Sequence, residues 1–151
     1  MFIEVKSETD MKLFGKLIGS HLEGGEFIEL IGDVGSGKTT ITKGIANGMG
    51  VESNVQSPSF TISRVYNGRD NLSLAHYDFY RLNDAGIMAN ELQEMADDKN
   101  TVTIIEWAGI VDDVLPKDRL SIKISPLSEF SRKLEIISGG CRSDRLLGVL
   151  K

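Results

Sequence analysis

The sequence contains a single cysteine, Cys141, in 151 residues, which excludes an intrachain disulfide and a four-cysteine zinc site. There are only three prolines, and no Pro-rich linker, low-complexity tract or repeat divides the chain. No apolar stretch approaches the roughly 20 residues a membrane helix needs. The opening "MFIEVKSETD" lacks the basic start and long apolar segment of a secretory signal. Basic charge is also short: 17 Lys and Arg against 22 Asp and Glu leave a net charge of −5 and a pI near 5.1. A protein gripping a nucleic acid backbone unaided would show the opposite balance, so any role on a nucleic acid is expected to run through a partner. What remains is 40% hydrophobic and 26% charged, the composition of an ordinary globular chain. One domain over 1–151 is expected, in the cytoplasm and with no membrane role.

Periodicity orders the chain. "FIEV" reads as a short strand. "SETDMKLFGKLIGSHL" reads as a helix with Ser7 as N-cap and Asp10 in a capping-box variant. Its apolar face is expected at Met11, Phe14, Leu17, Ile18 and Leu22. "FIELI" (27–31) has the composition of a buried parallel strand. From Lys38, "KTTITKGIANGM" carries Ile41, Ile45 and Met49 at four-residue spacing, with Gly48 and Gly50 as stops. "QSPSFTISRVYN" is a loop then a strand, and "NLSLAHYD" another strand. "DAGIMANELQEMADD" (84–98) reads as a helix and "TVTIIEW" as a second buried strand. "GIVDDVL" is a short helix or turn ended by Pro116. "RLSIKIS" and "RKLEIIS" alternate as paired strands, and "CRSDRLLGVLK" is a short helix or a loose tail. Helices alternate with strands for two-thirds of the chain, and the C-terminal part is strand-rich. The class is α/β: a three-layer P-loop arrangement with a mixed, mainly parallel central sheet flanked by helices.

The stretch "GDVGSGKTT" (32–40) carries the chemistry. Gly32, Gly37, Lys38 and Thr39 satisfy G-x-x-x-x-G-K-[ST]. Such a loop must wrap a phosphate with its backbone N–H groups, and Gly32, Gly35 and Gly37 remove side chains that would obstruct the approach. Asp33, Val34, Ser36 and Thr40 complete the binding stretch. Lys38 sets a positive charge against the β- and γ-phosphates, Thr39 offers a hydroxyl to Mg²⁺, and the following helix points its positive end at the anion. The bland alternative is a Gly-rich turn with a surface lysine. The apolar strand before it and the amphipathic helix after it favour the cradle.

Phosphoryl transfer also needs an acid for the metal and a group to place the attacking water. Asp78 ends "LSLAHYD" and Glu106 ends "TVTIIE", where ligands of an α/β sheet gather. Glu106 is the better candidate for the metal shell. Asp78 suits water positioning or the outer shell, against the alternative of a turn-starting Asp. The hydroxyl-rich "SPSFT" (57–61) has the composition of a switch loop, although an ordinary Ser-Pro turn is the plainer reading. Trp107 is either at the site or in the core. His76 reads as a packed strand residue and His21 as a helix-end residue near the C-terminal dipole.

The ordered set "GDVGSGKTT", "SPSFT", "HYDFYR" and "IEW" resembles the TsaE (YjeE) family, the bacterial ATPase of tRNA threonylcarbamoyladenosine biosynthesis, most strongly over 26–126. The resemblance implies a Mg²⁺-dependent ATPase, weak alone and activated in a complex with two partner subunits, one TsaD-like and one TsaB-like. That complex places threonylcarbamoyl on adenosine 37 of tRNA, which the ATPase meets only through its partners, and hydrolysis resets the complex between turnovers. Carried over by position, Lys38 and the loop amides hold ATP, Thr39 and Glu106 ligate Mg²⁺, and Asp78 is a catalytic carboxylate. Thr61 belongs to a switch near the γ-phosphate and Trp107 to the site edge, while Glu8 and Arg132 resemble further nucleotide-binding positions. The chain departs from the family at Val34, Ser36 and Ser59, and its 84–98 helix lacks the usual Leu-Gly pair. Two other readings stay open. One is a different P-loop enzyme, a GTPase or kinase, although N-K-x-D and an Arg-rich lid are absent. The other is a nucleotide-gated docking module that needs no hydrolysis.

Overall fold

The computed structural model describes residues 1–58, 61–84 and 86–151. In chain order these form β1 (Phe2–Val5), α1 (Glu8–Ser20), β2 (Phe27–Ile31), α2 (Lys38–Gly48), β3 (Ser63–Asn67) and β4 (Ser73–Asp78). Then follow α3 (Gly86–Asp97), β5 (Thr101–Glu106), β6 (Leu120–Pro126), β7 (Arg132–Ser138) and α4 (Cys141–Leu150), with 3₁₀ segments at Arg69–Asn71 and Ala108–Val114. Ala85, inside the expected helix, lies outside the described residues.

The strands make one sheet in the order β1-β7-β6-β2-β5-β4-β3. Its centre, β6-β2-β5-β4, is parallel, while β1/β7, β6/β7 and β3/β4 pair antiparallel. Parallel and antiparallel pairings are therefore three each, and the expected parallel character belongs to the centre alone. The difference arises at the edges. β6/β7 and β3/β4 are joined by tight connections, which only antiparallel pairing allows, and β1 adds antiparallel to the outer edge of β7. β5 shows why the centre is parallel: all six of its residues are buried, as a strand covered on both faces requires.

The sheet separates two cores. On one face α1, α2 and α4 bury Ile18, Ile41, Ile45, Met49 and Leu146 against Ile28, Leu30, Leu74, Ile104 and Ile122. On the other, α3 and the 3₁₀ segment bury Leu92 and Val111 against Phe27, Ala75, Tyr77 and Ile105. On the second face the Tyr77 hydroxyl donates to Glu91 on α3 at 2.9 Å. Burial, and then the Glu91 carboxylate, push the Tyr77 phenol well above its ordinary range.

Small residues bring α1 and α2 together. A Cβ on Gly15 would lie 2.5 Å from the Ile41 carbonyl, and one on Gly19 would run into that of Ile45. Gly44 and Gly48 of α2 meet the Lys12 and Lys16 carbonyls in the same way. Gly48 is thus both the last residue of α2 and a contact residue, and Gly50, at φ +79°, follows the cap as the second expected stop. Leu17, expected in the apolar face, is 41% exposed. At the start of α1, Ser7 Oγ accepts from the Asp10 N–H as expected, but Asp10 reaches back to the Lys6 N–H rather than to that of Ser7.

Arg69 closes the far end of this helix pair. Its guanidinium donates to the carbonyls of Gly19 and Ser20 at 3.2 Å and of Gly48 and Leu22 at 2.8 Å. A cation is favoured at a helix C-terminus, where carbonyls lack partners. The C-terminal residues form a docked helix rather than a loose tail, because Asp118 caps it: its carboxylate accepts from the Arg142 and Ser143 N–H groups at 2.9 Å. Gly140, at the capping position, has no side chain to do so.

Candidate functional site

β2 delivers the chain into the loop at the C-terminal end of the sheet. Gly35 (φ +82°) and Gly37 (φ +113°) stand in the left-handed region that favours glycine, and α2 starts directly after Gly37. Among the described residues, the N–H groups of Val34, Gly35 and Gly37 donate to no backbone carbonyl. They join the uncommitted donors of the first helical turn and the positive end of its dipole. A Cβ on Gly32 would lie 2.5 Å from Ser36 Oγ, so the loop closes only with glycine there.

Lys38 is 7% exposed. Its ammonium donates to the Gly32 carbonyl and, at 3.2 Å, to that of Asp33. It also stands 4.4 Å from the centroid of the Trp107 ring, a cation–π contact. Trp107 itself has φ +57° and ψ +52°, uncommon for a bulky residue and costing about 1–2 kcal/mol. That turn carries the ring to Lys38 and to Tyr80, whose ring centroid is 5.0 Å away.

The acids arrive from neighbouring parallel strands. β4 and β5 pair with Asp78 opposite Glu106 and His76 opposite Ile104. By the period of two, His76, Asp78 and Glu106 share the sheet face covered by α1 and α2. Asp78 is 5% exposed and Glu106 3%. One Asp78 oxygen accepts from the Tyr80 N–H at 3.0 Å. One Glu106 oxygen contacts His76 Nε2 at 2.6 Å.

A cleft of about 260 Å³ unites these parts. Val34, Gly35, Gly37, Lys38, Thr39 and Thr40 line one side of it, and Asp78, Glu106 and Trp107 the other. Gly32 and Asp33 lie behind, holding Lys38. Ser36 is buried, its carbonyl accepting from Arg132 at 3.2 Å. Glu8 and Arg132 line an adjoining cavity of about 310 Å³, which shares Gly35, Gly37 and Thr40 with the cleft. Thr61 is not brought to the cleft: it is exposed, and its hydroxyl donates to the Ser63 carbonyl at 3.2 Å. Ser59 and Phe60 of the same loop lie outside the described residues.

The structure adds three residues that sequence reasoning left without a role. Ser57 and Tyr80 line the cleft, and His76 contacts Glu106. All three belong to the strings "SPSFT" and "HYDFYR", so position in a motif marked them. For His76, alternation along β4 gave the further signal, since it lies two residues from Asp78 and therefore on the same face.

The residues fit a Mg²⁺-bound nucleoside triphosphate. The loop supplies uncommitted N–H donors and a lysine for anionic oxygens, and the cleft adds a hydroxyl and carboxylates. Among the described residues no group of three or more His, Cys, Asp or Glu could hold a metal by itself. Mg²⁺ takes one or two protein ligands and completes its shell with phosphates and water.

A strand, a glycine loop wrapped around a helix N-terminus and two strand-end carboxylates define a P-loop protein of the α/β class. The sequence profile of Threonylcarbamoyl adenosine biosynthesis protein TsaE matches residues 5–134, beyond both ends of the stretch its motifs mark. A Bacillus subtilis protein named tRNA threonylcarbamoyladenosine biosynthesis protein TsaE is 35% identical over 141 residues, covering 91% of this chain and 85% of that protein. One of the same name from Borreliella burgdorferi is 35% identical over 143 residues, covering 93% and 95%. The crystal structure of Bacillus subtilis YdiB superposes with a TM-score of 0.83 at 31% identity, over 99% of this chain and 93% of that one. The chain belongs to the TsaE family.

Proposed function

We propose that this chain is the ATP-hydrolysing subunit of the complex that installs threonylcarbamoyl on adenosine 37 of tRNA. The observation that carries the reading is the cleft itself, where the glycine loop, Lys38 and Thr39 face Asp78 and Glu106. The loop amides and Lys38 bind the phosphates. Thr39 and Glu106 are the protein ligands of Mg²⁺, which when bound neutralises charge developing on the transferred phosphate. Asp78, anchored through the Tyr80 N–H, orients the attacking water. Trp107 and Tyr80 wall the cleft and limit solvent. Glu8 and Arg132 extend the nucleotide site into the adjoining cavity, and Thr61 belongs to a switch near the γ-phosphate.

Hydrolysis is weak alone and rises in the complex with TsaD-like and TsaB-like subunits, which hold the tRNA. The net charge of −5 supports that division of labour. The protein works as one P-loop domain over 1–151 in the cytoplasm; among the described residues no helix is long and apolar enough to cross a membrane. ATP hydrolysis measured alone, and then with the two transferase subunits and tRNA, tests this. The expected result is stimulation on mixing, with multiple-turnover modification of tRNA that depends on Lys38. Activity indifferent to both subunits, or a preference for GTP, would overturn it.

A further inference from the structure

We infer that His76 is a positioning residue, fixing the Glu106 carboxylate so that one oxygen is presented to the metal. The inference rests on the proposed role of Glu106 as a Mg²⁺ ligand and assigns the part that holds it. An ionised carboxylate buried to 3% exposure is costly unless a partner satisfies it. Glu106 has such a partner in His76, which is fully buried on the adjacent strand, with Nε2 2.6 Å from Oε2. Among the described residues, His76 Nδ1 has no hydrogen-bond partner. Nothing else competes for the ring, and Nε2–H is the atom that donates. The bond occupies Oε2, and among the described residues Oε1 carries no hydrogen bond while Glu106 lines the cleft.

A carboxylate held by one oxygen cannot turn about its terminal torsion. Oε1 therefore stays at one place on the cleft wall, on the sheet face that packs against α2, whose first turn carries Thr39. Groups that hydrogen-bond a metal ligand from behind commonly change metal affinity by roughly 10–100-fold when removed. His76 is well placed for this because both strands are in the parallel centre of the sheet. Its distance to Glu106 is set by the ladder rather than by a flexible loop.

Three substitutions separate positioning from packing. His76→Leu removes the donor, His76→Gln keeps an amide N–H near the place of Nε2, and His76→Asn carries a donor that falls short of Oε2. The readout is the affinity for a fluorescent ATP analogue as Mg²⁺ is titrated, with affinity in EDTA and thermal melting measured alongside. The expected result is a Mg²⁺ half-saturation raised roughly 10–100-fold in Leu and Asn, restored in Gln, with affinity in EDTA unchanged in all three. If Leu does not fold, Asn against Gln decides. Wild-type Mg²⁺ dependence in a folded Leu or Asn variant would overturn the inference, as would equal impairment of Gln and Asn. Glu106→Gln distinguishes the two levels. If it also keeps the wild-type Mg²⁺ dependence, the metal role of Glu106 fails; if it alone loses it, only the role of His76 fails.

Discussion

The two ends of α2 are treated in opposite ways. At the N-terminal end, among the described residues, the Val34, Gly35 and Gly37 amides have no backbone acceptors, and Lys38 turns back onto the Gly32 and Asp33 carbonyls and the Trp107 ring. At the C-terminal end Arg69 satisfies the Gly48 carbonyl and, with the same guanidinium, the last carbonyls of α1. One end keeps hydrogen-bonding capacity for a ligand; the other uses it on the fold. A P-loop helix must be held firmly if its open end is to meet phosphates at a fixed place, and the glycine contact with α1 and the Arg69 clasp provide that hold.

Changes at the two ends should therefore separate binding from stability. The largest effect is expected for Lys38→Ala. Loss of a charge-assisted contact to the phosphates should cost about 3 kcal/mol, more than a hundredfold in ATP affinity by calorimetry. Unchanged affinity would break the contrast outright. Arg69→Ala comes next. Four carbonyls lose the guanidinium donor, and we expect a loss of about 2–3 kcal/mol of stability and a melting temperature lower by roughly 5–10 °C, with ATP affinity preserved. A matching fall in affinity would mean that the ends are not independent.

The smallest effect concerns a third helix end. Burial pushes the Asp118 carboxyl up, but the hydrogen bonds from the Ser143 hydroxyl and the Ser143 and Arg142 N–H groups, with the Arg142 charge, outweigh it and hold it below the ordinary range. A carboxyl depressed on folding stabilises fully above its unfolded value and loses that contribution as pH falls through the folded one. Asp118→Ala should cost about 1 kcal/mol at neutral pH. The gap in urea midpoint from the wild type should narrow only below about pH 4. A gap that is the same at pH 7 and pH 3 would show that the charge of the cap does not matter.

Legibility followed the range of the interactions. β2, the glycine loop and the apolar stripe Ile41, Ile45 and Met49 were readable because period and motif are local. Asp78 and Glu106 were readable because strand ends are. Gly48 is legible as the end of α2 but not as a contact, since only the approach of α1 shows that a side chain has no room there. Arg69 drew no notice because its partners lie 21 to 50 residues away. The C-terminal helix was left open for the same reason: its cap comes from Asp118, 24 residues before Arg142. His76 reads as a packed residue in the sequence because alternation gives its face but not its neighbour across the ladder.

The place of Trp107 has an optical consequence. It is the only tryptophan in the chain, and its indole faces the Lys38 ammonium, which on the proposed function exchanges its resting contacts for a phosphate. The ultraviolet emission of the unlabelled protein therefore comes from the cleft and from nowhere else among its indoles. On that proposal, a change in this emission on adding nucleotide is the expected signal that the site is filled.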